Sequence, residues 1–257
     1  MTDELGGRRP EGRGLLDPHQ VEERVRRALT AMGGTPRTAF AAGVAQRLAG
    51  MHLALPPAEH DQEILAWRPT LDAIWRGLAG DHAGADEVCR ALARFYARHQ
   101  EGGQGAFEGE FPVAASSAQG AAAVTATYYA AQCYLHGCAD FAVWAASAAT
   151  QLASYVAEED EAWWDCRPAP VRAGDWHKAH PAVQAECARQ LHDLRLLADS
   201  RDLLGDQRLD RLADRLRLLE ALYSTDIGPA GQLHLFDGLP YFWLTGQVPG
   251  AVAAPAM

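Results

Sequence analysis

The sequence has few basic residues for its length. Lysine occurs once, at Lys178, and 23 lysine and arginine residues stand against 33 aspartate and glutamate residues, which gives a net charge of −10 over 257 residues. A protein that follows a phosphate backbone needs a basic face, so we expect no nucleic-acid partner. Asparagine is absent, and this bias is typical of a GC-rich genome.

The sequence also lacks a segment suited to a membrane. The longest stretch of small and apolar residues, 116–135, is interrupted by Gln119, Thr125 and Gln132, which favours a buried helix of a soluble protein. The N-terminus, MTDELGGRRPEGRG, has no apolar core and therefore predicts no secretory signal. We expect no membrane partner.

Paired cysteines are missing. The five cysteines include no CxxC pair, and their number is odd, which favours reduced thiols. Together with the missing signal, this predicts a cytoplasmic protein.

No established catalytic or cofactor motif occurs. The chain has no GxxxxGK[ST], no GxGxxG after a strand, no GxSxG and no HExxH. His177, His180 and Glu186 have a spacing compatible with a metal, but such spacing is common by chance. We therefore predict neither a metal nor a cofactor.

The sequence does contain helical periodicity. Apolar residues recur every three or four positions in most segments, as at Phe40, Val44 and Leu48, and Asp17-Pro18 is a typical helix start. This predicts an all-α fold, a single bundle of about seven or eight helices over residues 17–227. The Gly- and Arg-rich residues 1–16 are predicted to be disordered.

One helix is expected at about residues 139–160. Its large apolar side chains fall on one face, which we expect to lie in the interior: Phe141, Trp144, Leu152 and Tyr155.

The C-terminal part has a different pattern. QLHLF and LPYFW lie on either side of Asp237-Gly238, as in two short strands around a hairpin turn, although Pro240 weakens the second run as a strand. We predict a short hairpin-like aromatic tail or flap over residues 228–257. It either completes the core or serves as a lid or partner-binding surface.

Three parts of the chain resemble a known family. They are AFAAGVAQRLAGMHLAL with RPTLDAIWRGLAGD, the Ala-rich helix pair around 120–156, and HPAVQAECARQLHDLRLLAD. In order and spacing they resemble the YjaG-like bacterial proteins, domain of unknown function 416, over roughly residues 36–220. The motifs LDxxW (Leu71 to Trp75) and PAVxxE (Pro181 to Glu186) contribute most.

The resemblance implies an all-α fold and a dimer, and it implies no activity. The chain departs from the family at Met51-His52-Leu53 and at residues 120–123, where alanine and glycine stand in place of an acid. It is therefore identified as a divergent member.

The stretch EEDEAWWDCRPAP, residues 158–170, is the candidate catalytic segment. Three tryptophans and three residues suited to acid–base chemistry lie in or near it: Trp163, Trp164, Trp176, Asp165, Asp175 and His177. An apolar wall would raise the pKa of a nearby carboxyl group and make it a general base near neutral pH. The alternative is a solvated, frayed helix end.

Arg47 and Asp72 each border an apolar stripe on helices that we expect to pack together. We predict a half-buried ion pair between them, which would fix helix register more than it adds stability; ligand binding is the alternative. His192 and Asp193 are predicted to lie on the surface.

Two functions remain open. The missing catalytic motifs and the aromatic tail favour a non-catalytic interaction or accessory protein, acting as a homo-oligomer or with a heteromeric protein partner. The alternative is a small-molecule enzyme of bacterial specialised metabolism, alone or in complex with a partner enzyme, that performs cofactor-independent elimination or cyclisation.

In the enzyme alternative, Asp165, His177 or Asp175 is the base and the three tryptophans line the pocket. An anionic small molecule would be held by Arg167 or Arg172.

Overall fold

The structure, a computed structural model, describes residues 15–53, 62–80, 84–101, 118–161, 177–199, 217–219 and 222. Within these ranges the chain is helical and contains no strand, so the predicted all-α fold is confirmed. Residues 1–14 and the predicted tail at 228–257 lie outside the described ranges.

Seven helices have described bounds: α1 (Pro18–Ala31), α2 (Gly34–Leu53), α3 (Gln62–Ala79), α4 (Gly84–Glu101), α5 (Ala118–His136), α6 (Ala139–Glu159) and α7 (Pro181–Asp199). Residues 217–219 and 222 are also helical. None of the helices in these ranges is long and apolar enough to cross a membrane.

The start of α1 is capped as its sequence predicts. The Asp17 carboxylate accepts a hydrogen bond from the backbone N–H of His19 at 2.9 Å, and Pro18 occupies the first helical position. Both features stabilise a helix start, where backbone N–H groups have no partner within the helix. Lys178 Nζ donates to the other Asp17 oxygen at 2.7 Å. That bond is the main cause of a lowered pKa of Asp17, and it joins α1 to the segment before α7.

The other end of α1 is held by Arg37. Its Nε donates to the Leu29 carbonyl at 2.7 Å and its Nη2 to the Thr30 carbonyl at 2.9 Å, so a cation meets the negative end of the helix. Nη1 donates to the carbonyl of Gly137 at 2.7 Å. Gly137 follows α5 with a φ of +64°, a conformation that favours glycine. One arginine therefore joins α1, α2 and the turn between α5 and α6.

α2 is the central helix of the bundle. Residues 38–50 are all buried, and α2 packs against α3, α5, α6 and α7. A helix that is apolar on all sides belongs in such a position. The predicted stripe of Phe40, Val44 and Leu48 is confirmed as part of the core.

α6 turns alanines inward and large aromatic side chains outward. Its buried residues are mostly alanine, with Val143 and Leu152. The prediction that Trp144 and Tyr155 lie in the interior is wrong, since they are 44% and 46% exposed. α6 packs against α1, α2, α5 and α7. Small side chains let four neighbours approach closely, so the bulky rings occupy the remaining side.

Candidate functional site

Most of the predicted catalytic segment lies outside the described residues. This holds for all of the tryptophans, acids and arginines assigned to the pocket: Trp163, Trp164, Trp176, Asp165, Asp175, Arg167 and Arg172. Only His177 of this set is described. It is half-buried, and its Nε2 is buried without a hydrogen-bond partner in the structure.

His180, three residues further on, joins the end of α6 to the start of α7. It is buried, and its Nδ1 accepts a hydrogen bond from the backbone N–H of Ala182 at 3.2 Å. Because Nδ1 accepts, Nε2 carries the hydrogen and donates to Asp160 Oδ2 at 3.3 Å. His180 therefore acts as a helix cap with a carboxylate behind it, a structural arrangement.

The predicted ion pair between Arg47 and Asp72 is wrong. Asp72 accepts a bond from Arg68 Nε at 3.0 Å, one turn earlier on α3. Arg47 points from α2 towards α7, where Nη1 donates to Asp193 Oδ2 at 2.7 Å and Nη2 to Glu186 Oε1 at 3.2 Å. The register role predicted for the pair therefore belongs to α2 and α7.

We call Arg47, Glu186, Arg189 and Asp193 the buried charged cluster. Asp193 is fully buried, contrary to its predicted surface position, whereas His192 is exposed as predicted. The second oxygen of Asp193 accepts a bond from Arg189 Nε at 2.8 Å. Two arginines and two carboxylates leave no net charge, which is the condition under which charges are tolerated in a core.

The cluster continues into a neutral hydrogen-bond network. Gln190 Nε2 lies 2.9 Å from Glu186 Oε1, and it also reaches the Ala146 carbonyl and Thr150 Oγ1 on α6, both at 3.1 Å. Polar groups on α7 therefore bind to α2 on one side and to α6 on the other. This arrangement fixes the position of α7 along both helices.

Burial and neighbouring charges shift the pKa values of the two arginines in the cluster. Burial disfavours the charged form of Arg47, but Glu186 and Asp193 outweigh burial and raise the pKa of Arg47. The pKa of Arg189 is lowered, chiefly by burial, with Asp193 opposing and the charge of Arg47 adding to the effect. The pKa values of the two arginines therefore move in opposite directions, although both side chains bind Asp193.

Two buried side chains in and beside the cluster have polar atoms without a hydrogen-bond partner in the structure: Arg47, at Nε, and Gln46. Gln46 has no exposed surface, and neither its amide nitrogen nor its amide oxygen has a hydrogen-bond partner in the structure. A buried amide without a partner costs free energy. Gln46 is therefore a buried polar group that lowers the stability of the core.

The two buried cysteines, Cys133 and Cys187, are poorly reactive because they are shielded from solvent. Burial is the main cause that raises the pKa of Cys133 to about 11 and that of Cys187 to about 12, so both stay protonated and poorly nucleophilic. Within the described ranges, no group of three or more His, Cys, Asp or Glu side chains is placed to hold a metal ion.

We call Tyr129, His136, Phe141 and Trp144 the aromatic surface. Trp144 lies 5.4 Å from Tyr129 and 5.4 Å from Phe141 between ring centroids, and Phe141 lies 6.0 Å from His136. Such separations are typical of interacting rings. α5 supplies the first two residues and α6 the others, so the surface depends on how these two helices pack.

The aromatic surface is connected to the core. Tyr129 contacts Tyr128 at 5.4 Å, and Tyr128 contacts Trp67 of α3 at 6.5 Å, both edge-on. Tyr128 and Trp67 are buried, and Tyr128 accepts a bond from Gln132 Nε2 at 2.9 Å through its hydroxyl. Burial raises the pKa of the half-buried Tyr129. The aromatic surface is therefore held in place by contacts with buried aromatic side chains.

Sequence patterns did not identify either region. The four polar residues of α7 stand at i, i+3, i+4 and i+7 from Glu186, a line of mixed charge beside the apolar stripe, and this spacing is the signal that could have revealed the cluster. For α6, apolar residues occur on all sides, so periodicity alone did not separate the buried face from the exposed one.

Comparison of the chain with protein-family models, with curated proteins and with solved structures gave no match. The resemblance to the YjaG-like proteins therefore stays a prediction.

Proposed function

We propose that this protein is a non-catalytic interaction or accessory protein that binds a protein partner through the aromatic surface. The observation that carries the proposal is Trp144, which is 44% exposed among three other rings on the outside of the bundle. Tryptophan and tyrosine are enriched at the centres of protein interfaces. Their grouped exposure costs hydration free energy that a partner would recover.

The packing of the rings supports this proposal. Tyr129 and Phe141 are half-buried, and each contacts Trp144. A side chain already held by its neighbours loses less conformational freedom when it binds. The surface is therefore prepared for docking.

The buried charged cluster supports the non-catalytic part of the proposal. Its charges are matched inside the core: Arg47 of α2 pairs with Glu186 and Asp193 of α7, and Arg189 pairs with Asp193 within α7. We assign it the task of holding α7 against α2. We also propose a cytoplasmic location, supported by described cysteines that form no disulfide.

The test is co-purification from cells that naturally make the protein. Tagged wild-type chain is compared with Trp144→Ala, with the conservative Trp144→Phe, and with Arg94→Ala on α4 as a control at an exposed site on another part of the bundle. We expect a stoichiometric partner with the wild type, Trp144→Phe and Arg94→Ala, and its loss with Trp144→Ala. A folded Trp144→Ala chain that retains the same partner in equal amount would overturn the proposal.

A second candidate function is acid–base chemistry on a small molecule. It is favoured by one described observation, the buried Nε2 of His177, which has no hydrogen-bond partner in the structure. Thermal-shift screening of wild-type and His177→Ala protein against anionic metabolites tests it. A stabilising compound that loses its effect in the variant would support this function, and equal responses of the two proteins would remove it.

A further inference from the structure

The outward side of α6 extends the aromatic surface along the whole helix. Trp144 and Tyr155 stand eleven residues apart, which is about three turns and roughly 16 Å along the axis, so both point the same way. Gln151, between them, is also exposed. We call this strip, with Glu158 and Glu159 at its end, the outer strip of α6.

Negative charge gathers at the C-terminal end of the outer strip. Glu158, Glu159 and Glu161 are all exposed there. The carbonyl ends of α6 add partial negative charge at the same place. At the opposite end, Asp140 is paired with Arg26 at 3.3 Å. The strip carries the exposed rings of Trp144 and Tyr155, and exposed carboxylates lie at its C-terminal end.

A second copy of this chain fits the strip poorly. Each copy carries a net charge of −10, so two copies repel each other as they approach. Like charges facing each other across an interface oppose association. A positively charged partner can interact with both the aromatic rings and the carboxylates of the strip.

We propose that the outer strip of α6 binds a basic, arginine-containing segment of a partner protein; this rests on the proposed function above. Guanidinium groups stack on exposed indole and phenol rings, here Trp144 and Tyr155. They also form paired hydrogen bonds with carboxylates, here Glu158 and Glu159. Apolar side chains of the same segment cover the remaining ring surface.

The experiment uses the full chain and two synthetic helical peptides of about 18 residues. The first carries arginine and leucine on one face, and in the second every arginine is replaced by glutamate. Fluorescence anisotropy at about 150 mM salt measures binding to wild type, to Trp144→Ala, to the double variant Glu158→Gln with Glu159→Gln, and to Asp86→Asn. Asp86 is an exposed acid on α4, and its substitution measures the effect of removing one charge from another part of the surface.

The expected result is binding of the arginine peptide alone. Trp144→Ala should weaken that binding at least about tenfold, and the glutamine double variant about five- to tenfold, with a weaker salt dependence. Asp86→Asn should change it less than about twofold.

Four results would overturn the inference. Equal binding of both peptides with loss in Trp144→Ala would leave the proposed function standing with an uncharged partner. A loss of binding free energy in the glutamine double variant no larger than twice the loss in Asp86→Asn would show attraction to net charge alone, because the double variant removes two charges and Asp86→Asn removes one. Failure of the arginine peptide to bind up to about 1 mM, or a wild-type dimer in sedimentation that Trp144→Ala dissociates, would assign the strip to another occupant.

Discussion

One group of charged side chains lies inside this bundle, and one group of aromatic rings lies on its outside. The buried charged cluster joins α2 to α7 with Asp193 fully buried, whereas Trp144 on α6 is 44% exposed. The difference teaches that burial follows partners rather than polarity. Asp193 stays inside because two arginines satisfy it, and Trp144 stays outside because alanines fill the contacts that its helix makes with four neighbours.

The largest expected effect comes from removing the centre of the buried charged cluster. Asp193→Ala removes the carboxylate that binds both Arg47 and Arg189, and it leaves Glu186 as the one carboxylate of the cluster. We predict a loss of about 3–5 kcal/mol in the free energy of unfolding, measured by chemical denaturation. The neighbouring exposed His192→Ala is the control, with a change within about 0.5 kcal/mol. Similar small losses in both would mean that the cluster does not hold the fold.

Gln46 tests whether a buried polar group needs a partner, and here removal of the polar group should increase stability. Gln46→Met keeps a side chain of similar length and removes a buried amide that has no partner in the structure. We predict a gain of about 1–3 kcal/mol in the free energy of unfolding. A clear loss of stability would show that the amide is satisfied in solution, by water or by a ligand.

The contribution of Asp72 to stability should depend on pH, because nearby arginines compensate its negative charge only partly. Burial raises its pKa to about 6 against the opposing effects of Arg68 and Arg76. The folded state therefore binds a proton that the unfolded state releases near its usual pKa of about 4, so Asp72 costs stability as pH rises from about 4 to about 6.

We predict that Asp72→Asn gains about 1–2 kcal/mol relative to wild type between pH 4 and pH 7, measured as thermal unfolding across that range. The amide oxygen introduced by this substitution can still accept a hydrogen bond, so packing around Arg68 is retained. A stability difference that does not change with pH would show that Asp72 titrates normally.

The smallest expected effect on stability is at the exposed rings. Trp144→Ala removes a side chain that is nearly half in solvent, and we predict a loss below about 1 kcal/mol by chemical denaturation. Its effect on partner binding should be far larger. A loss of several kcal/mol would place Trp144 in the structural core rather than at an interface.

Much of the fold was accessible from sequence, while the placement of polar and aromatic groups was not. Helix starts such as Asp17-Pro18 and stripes such as Phe40, Val44 and Leu48 depend on local chemistry, so they are readable within one segment. The choice between Asp72 and Asp193 as partner of Arg47 depends on which helices meet, and no local pattern encodes it. The same holds for α6, where only tertiary packing decides which apolar face is buried.

The most direct test of the central claim is photo-crosslinking in cells that make the protein. A benzophenone amino acid replaces Gln151, which is exposed between Trp144 and Tyr155, or replaces Arg94 on α4, which packs against α3 and α5. We predict a crosslink to one partner protein from position 151, none from position 94, and loss of the product in Trp144→Ala. Equal products from both positions, or a product that survives Trp144→Ala, would contradict the assignment of the aromatic surface as the interface.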